Sequence, residues 1–215
     1  MHLQSWPLFG LSITTPRLTM RYVDDHTADA LARLAARVGV HRPDFMPFST
    51  PWTRQPSPTL EREAMKHYWR NRSILGPDKW SVPFAVYDDG ELVGVQDVGA
   101  EKFAVTRSVS TGSWIGLPFQ GRGIGKEMRT AVLHFAFDGL GALEAHTSAF
   151  HDNPSSIGVT LALGYRENGD YLDDREGVRT RHRRFVMSRD DWLPRRRTDI
   201  TIEGLAPCLD MLGAE

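Results

Sequence analysis

The stretch Trp114-Ile115-Gly116-Leu117-Pro118-Phe119-Gln120-Gly121-Arg122-Gly123-Ile124-Gly125-Lys126-Glu127 constrains this chain more than any other. A short strand pattern ends near Gly116, a glycine-rich turn follows, and an amphipathic helix is predicted from about Gly123. Such a turn gathers free backbone N–H groups at the positive end of a helix dipole, a setting that suits a pyrophosphate. Side chains there would hold phosphate oxygens off the backbone, and a positive φ favours glycine. Two familiar phosphate loops do not fit. A Walker loop needs glycine where Gln120 stands and Ser or Thr where Glu127 stands. A dinucleotide fingerprint starting at Gly121 and Gly123 would place its third glycine on Lys126. What remains is Gln/Arg-x-x-Gly-x-Gly/Ala, read as Gln120, Gly123 and Gly125, or a glycine-rich connection with no ligand.

The rest of the chain supplies a mixed set of elements. Residues 15–22 alternate polar and apolar, as a half-buried strand does. Asp24-Asp25 caps a helix in which Leu31, Leu34, Ala35 and Val38 recur on one face, with Gly39 at its end. Met46-Pro47-Phe48-Ser49-Thr50-Pro51-Trp52-Thr53 is a proline-rich aromatic loop, either a plug over the core or the wall of an acceptor pocket that includes Phe48 and Trp52. Ser57-Pro58 reads as a cap and first-turn proline, opening a helix to about Ile74. A hairpin follows, residues 83–87 and 92–98 about the Asp89-Gly90 turn, and residues 108–115 lead into the glycine turn. In the next helix Lys126, Thr130, His134 and Asp138 form a polar stripe, while Met128, Ala131, Val132, Phe135 and Ala136 face inward. A strand over 142–150 precedes a short helix capped by Asn153 with Pro154 at its first position. Strands over 165–170 and 179–188 close the sheet. Residues 1–191 read as one domain and 192–215 as a C-terminal extension with one added strand.

Composition narrows the partners. A net charge of −1 gives no reason for bulk attraction to nucleic acid or membrane. The single Cys208 excludes an internal disulfide and a multi-cysteine metal site, and no metal is expected. The opening Met1-His2-Leu3-Gln4-Ser5-Trp6 lacks a leader pattern, and no apolar run reaches membrane-spanning length. A cytoplasmic protein is expected, and homo-oligomerisation stays open.

The order of elements and the glycine turn together resemble the GNAT acyltransferase superfamily, over about residues 14–191. The turn resembles its coenzyme A signature. The implied fold is α/β, a central, mostly antiparallel twisted sheet flanked by helices. Thr15-x-Arg17-Leu18-x-x-Arg21, Gly112-Ser113-Trp114-Ile115 before the turn, and Asn153-x-x-Ser156 followed by Gly164-Tyr165 are similar to motifs of its ribosomal-protein alanine N-acetyltransferase branch. The Met46–Thr53 stretch is similar to one in some actinobacterial members, among which succinyl-CoA use has been proposed.

The resemblance implies direct transfer of an acyl group, acetyl or succinyl, from a CoA thioester to an amine within a ternary complex. Trp114, Ile115, Gln120, Gly121, Arg122, Gly123, Ile124, Gly125, Lys126, Asn153 and Ser156 would hold the coenzyme. An N–H near residues 114–116 would polarise the thioester oxygen. A base must deprotonate the amine. The strand of residues 108–116 lacks the glutamate that many members use, leaving Asp97, Glu101, Asp173, Asp174, Glu176 or His151. Thr160 stands in place of the usual tyrosine acid, so Ser156 is the candidate donor to the departing thiolate, or else simply a helix-capping residue. The arginines 179, 181, 183, 184 and 195–197 form a solvated face or meet a phosphate, an acidic acceptor or a succinyl carboxylate, with Arg183 the substrate candidate. The acceptor is a small amine, a peptide N-terminus or a lysine. A catalytically silent acyl-CoA-binding or scaffold protein is the alternative.

Overall fold

The computed structural model describes residues 4–215, so Met1, His2 and Leu3 of the opening segment lie outside the described residues. The elements run β1 (Ser12–Thr14), β2 (Leu18–Tyr22), α1 (Asp25–Val38), α2 (Thr59–Ser73), β3 (Lys79–Asp88), β4 (Glu91–Glu101) and a single turn α3 (Phe103–Thr106). They continue with β5 (Ser108–Ile115), α4 (Ile124–His134), β6 (Glu144–Phe150), α5 (Pro154–Ala162), β7 (Arg166–Arg175), β8 (Val178–Ser188), α6 (Arg189–Trp192) and β9 (Thr201–Glu203). Nine strands form one sheet in the order β7-β8-β6-β5-β4-β3-β2-β1-β9. Every neighbouring pair is antiparallel except β5 and β6.

Alternation along β3 divides the core between the two faces of the sheet. Phe84 and Val86 pack with α4 residues such as Met128 and Val132, whereas Ala85 packs with Leu31 of α1 and Tyr68 of α2. Asp24 caps α1 by accepting from the Thr27 N–H at 2.8 Å. At the β3–β4 hairpin Asp89 and Gly90 both take positive φ, the geometry a two-residue turn demands.

Two local expectations need correction. The strand over 15–22 is a hairpin: Thr15 turns the chain, its hydroxyl oxygen accepting from the Leu18 N–H at 2.8 Å, and β1 lies before it. Pro16 cannot donate to a ladder, which is why pairing stops there. Ser57 does not cap α2; its hydroxyl donates to Glu61 Oε1 at 2.7 Å and the helix starts at Thr59. Residues 192–215 hold β9, paired with β1, and place Trp192, Ile200, Cys208 and Leu212 in the main core. Among the described residues no helix is long and apolar enough to cross a membrane.

Candidate active site

The parallel pair β5–β6 holds only through Ser108↔Glu144, Val109↔Ala145 and Ser110↔His146. Beyond it the strands part. Each keeps its other neighbour, β5 paired with β4 to Ile115 and β6 with β8 to Phe150. Two threonines bridge the start of the gap: Thr147 Oγ1 donates to the Thr111 carbonyl at 3.2 Å and Thr111 Oγ1 to the His146 carbonyl at 3.4 Å. Gly116 N–H donates to Val93 O, so alternation turns the N–H groups of Ser113 and Ile115 away from β4 and into the gap. Ile115 O is taken up from that side by Gln120 Nε2 at 2.8 Å. The expected N–H near residues 114–116 is therefore available at Ile115. Sequence periodicity carried no sign of the gap.

At the open end of the gap lies the glycine turn. Gly121 and Gly123 have φ of 76° and 81°, and a Cβ built on either meets nothing within 4 Å. Conformation, not crowding, demands glycine here, and the space above the backbone is free. Among the described residues no acceptor takes the N–H groups of Gly121, Arg122, Gly123, Ile124 or Gly125, while the next amides, of Lys126 and Glu127, close onto Gly123 O. Five uncommitted donors at the start of α4 fit a pyrophosphate. Arg122 and Lys126 are exposed beside them. Gln120 serves differently: its side-chain amide donates to Val40 O and Ile115 O, both at 2.8 Å, and braces the turn. Across the gap Asn153 caps α5 by accepting from the Ser156 N–H at 3.2 Å. The Ser156 hydroxyl has no partner among the described residues.

On the α1–α2 face a cavity of about 670 Å³ reaches the same stretch of β5. Phe48, Trp52 and Trp114 wall it, with ring centroids 5.6 Å apart for Phe48–Trp52 and 5.9 Å for Trp52–Trp114. Asp97 on β4 and Glu63 and His67 on α2 bring polar groups into it. Asp97 is partly open to the cavity, yet its charge sits deep among protein atoms. Burial pushes its carboxyl up to about 6, against the opposing pull of the Ser81 hydroxyl at 2.8 and 2.9 Å and the Val98 N–H. Burial and the neighbouring Asp97 charge also push the Tyr68 hydroxyl up, so it stays protonated.

The other candidate bases are not brought to this cavity. Glu101 is a surface partner of Lys79 at 2.5 Å. Asp173 accepts from the Ser49 hydroxyl at 2.6 Å and lies 3.4 Å from His182 Nε2, and the serine bond holds its carboxyl low. With Arg54–Glu176 at 2.8 Å, that contact clasps the loop of residues 39–58 onto the β7–β8 hairpin. Asp174 accepts from Gly177 N–H, and His151 pairs with Asp170 at 3.0 Å. Arg183 is bound to Glu167 at 3.1 Å and does not line the cavity. Much of the basic C-terminal quarter is likewise engaged, Arg196 with Asp138 and Arg197 with Asp199.

One residue escaped sequence reasoning altogether. Arg129 of α4 is 5% exposed and donates to Gln96 Oε1, Thr147 Oγ1 and Ser113 Oγ at 3.2–3.3 Å. Its only sequence signal is a charged residue at a helix position flanked by the buried Met128, Ala131 and Val132.

The comparisons with known proteins bear on the fold. The ribosomal L7/L12 alpha-N-protein acetyltransferase RimL, solved in complex with coenzyme A, is 17% identical with a TM-score of 0.67, over 81% of this chain and 95% of that one. A dodecameric spermidine N-acetyltransferase from Vibrio cholerae is 17% identical with a TM-score of 0.63, over 84% of this chain and 99% of that one. At such identities the likeness shows a shared fold, a mixed sheet of nine strands here flanked by helices. The model of the acetyltransferase (GNAT) domain matches residues 17–166, and the chain belongs to that family.

Proposed function

We propose that the protein is an N-acyltransferase that moves an acetyl group from acetyl-CoA directly to an amine held in the aromatic cavity. The observation that carries this reading is the run of five uncommitted amides at the glycine turn, joined through the β5–β6 gap to a cavity that holds a carboxylate of raised pKa. Gly121 to Gly125 would take the pyrophosphate, with Arg122 and Lys126 beside it, and Trp114, Ile115 and Asn153 would border the pantetheine path. Ile115 N–H would polarise the thioester carbonyl. Asp97, ionised above about pH 6, would accept the proton of the attacking amine. Ser156, with its hydroxyl free, would donate to the thiolate as it leaves.

Succinyl-CoA is the second donor to consider, as is membership of the ribosomal-protein branch. Arg54 and Arg183 already hold carboxylates, so a succinyl group would have to displace Glu176 or Glu167. Arg70, on the cavity wall, has no carboxylate bound to it among the described residues and is the cation a succinyl group would meet, whereas an acetyl group needs no such partner. The acceptor is an amine of a small molecule, a peptide N-terminus or a lysine, in a cytoplasmic setting. An oligomer has its precedent in the dodecameric neighbour.

Acyl transfer from acetyl-CoA and succinyl-CoA to a panel of amines and peptides, followed by mass spectrometry, tests the reading. Product with at least one amine is expected, acetyl ahead of succinyl, with kcat lowered roughly ten- to a thousandfold in Ser156→Ala. CoA binding without any product would favour the silent acyl-CoA-binding alternative.

A further inference from the structure

The guanidinium of Arg129 is buried with no acidic partner among the described residues. Its three hydrogen bonds go to neutral oxygens, of Gln96, Thr147 and Ser113. Gln96 is itself held in place, its side-chain amide donating to Gly112 O at 2.8 Å and Asp97 O at 3.0 Å, so that its oxygen faces Arg129. Tyr165, the other polar group nearby, is neutral, its hydroxyl pushed up by burial. A guanidinium stays charged when buried, and a buried charge without an ionic partner is strongly destabilising. A field of this kind acts strongly on whatever stands a few ångströms away.

Donor and acceptor accounting shows where that field is delivered. Arginine offers only donors, so Ser113 Oγ and Thr147 Oγ1 must both accept from it, and each then has one proton left to give. Thr147 gives its proton to Thr111 O at 3.2 Å. The Ser113 proton has no acceptor among the described residues. Ser113 lies past Ser110↔His146, the last β5–β6 pair; its backbone borders the cavity that Trp114 walls, while its Oγ, on the Gln96 face of the sheet, looks toward α4 at the edge of the gap. The site thus presents an uncommitted hydroxyl proton at the gap, made more acidic by a buried cation directly behind its oxygen.

We propose that Ser113 is the side-chain donor that stabilises negative charge on the acyl oxygen during transfer, with Arg129 as the positioning residue that polarises it. The inference rests on the acyltransferase reading and adds a donor to the backbone N–H of Ile115. As the amine nitrogen bonds to the acyl carbon, the carbonyl electron pair moves onto oxygen and Ser113 O–H donates to it. The pair then returns, the C–S bond breaks and its electrons leave on sulfur. The amine proton passes to Asp97, and the thiolate takes one from Ser156, which solvent replenishes. Amine and thioester become amide and thiol.

Steady-state kinetics with acetyl-CoA and the best amine, run with melting curves and CoA titrations, test this. Ser113→Ala is expected to lower kcat about a hundredfold, in the range for removing one oxyanion donor. Because Arg129 loses one of its acceptors, the melting temperature should fall modestly while CoA affinity matches the wild type, and Ser113→Thr should recover most of both rate and stability. Arg129→Met, which removes a buried charge and keeps a long apolar stem, should melt no lower than the wild type and lose kcat to a similar extent. Because Arg129 acts through Ser113, the double variant should be no slower than the slower single one. Wild-type kcat in Ser113→Ala, or independent, multiplying losses in the double variant, would overturn the assignment alone. A wild type that binds CoA yet acylates no amine would overturn the acyltransferase reading and this assignment with it.

Discussion

Asp97 stands where an ionised carboxylate is unfavourable and where a base would be useful, and one cause accounts for both. Burial raises its pKa to about 6 from the ordinary value near 3.8. Below about pH 4 it is protonated in folded and unfolded chains alike. Between about pH 4 and 6 the unfolded chain gives up the proton first, so stability falls as pH rises and the full deficit is present above 6. At about 1.4 kcal/mol per pH unit the deficit is on the order of 2–3 kcal/mol, an upper figure because the cavity admits solvent. Asp97→Asn should therefore raise stability in urea at pH 7 by up to that amount and make no difference at pH 3.5. In the same variant kcat/KM should drop roughly a hundred- to ten-thousandfold and lose the rise through pH 6 expected of the wild type. A stabilised variant with intact activity would remove Asp97 as the base. Sequence alone could place Asp97 only among several carboxylates, because what separates it from Glu101 is depth in the fold, and strand alternation does not report depth.

At the scale of elements, the turn into α4 was the most legible part of the chain, since glycines at positive φ and the start of an amphipathic helix are local properties. It also yields a sharp test. Gly123→Glu puts a carboxylate among donors meant for phosphate, and CoA affinity measured by calorimetry should fall about a hundredfold or more, some 2.7 kcal/mol. Gly123→Asn is the control, because asparagine tolerates the left-handed conformation and adds no charge. It should keep the fold by circular dichroism and most of the affinity. Equal affinity in Gly123→Glu and the wild type would dismiss the cradle. The β5–β6 gap was not legible, because it depends on strands distant in sequence: β6 stays with β8 and β5 with β4. Arg129 was hidden for a related reason. Helical periodicity assigns charged residues to solvent, and only the tertiary pairing of Gln96, Ser113 and Thr147 explains how this one is housed. The Phe48 and Trp52 loop had two readings, and its place on the cavity wall required the clasp from Ser49 to Asp173 that no local pattern encodes.

For the whole molecule, the question is whether the sheet can stand without its last 24 residues. The sequence suggests a domain ending near 191, since the family resemblance stops there and the composition turns polar and arginine-rich. Packing argues otherwise. Trp192 stacks on Phe137 with centroids 5.1 Å apart, and Cys208 and Leu212 are fully buried. Trp80 Nε1 of β3 donates to Leu212 O at 2.9 Å, and β9 covers the edge of β1. Removing the segment would expose the facing side of the core and leave β1, only three residues long, as a bare edge. Four buried side chains, Trp192, Ile200, Cys208 and Leu212, at about 1.5–3 kcal/mol for each large apolar group come to roughly 5–10 kcal/mol as an upper estimate. That is comparable to the whole stability of a typical domain, about 5–15 kcal/mol. A chain ending at residue 191 should accordingly be largely unfolded or aggregated at 25 °C, with its cooperative melting transition lost. Trp192→Ala in the full chain should still fold, destabilised by about 3–5 kcal/mol in urea denaturation. Should the shortened chain melt cooperatively near the full-length temperature and still bind CoA, residues 192–215 would be a separable appendage rather than part of the core.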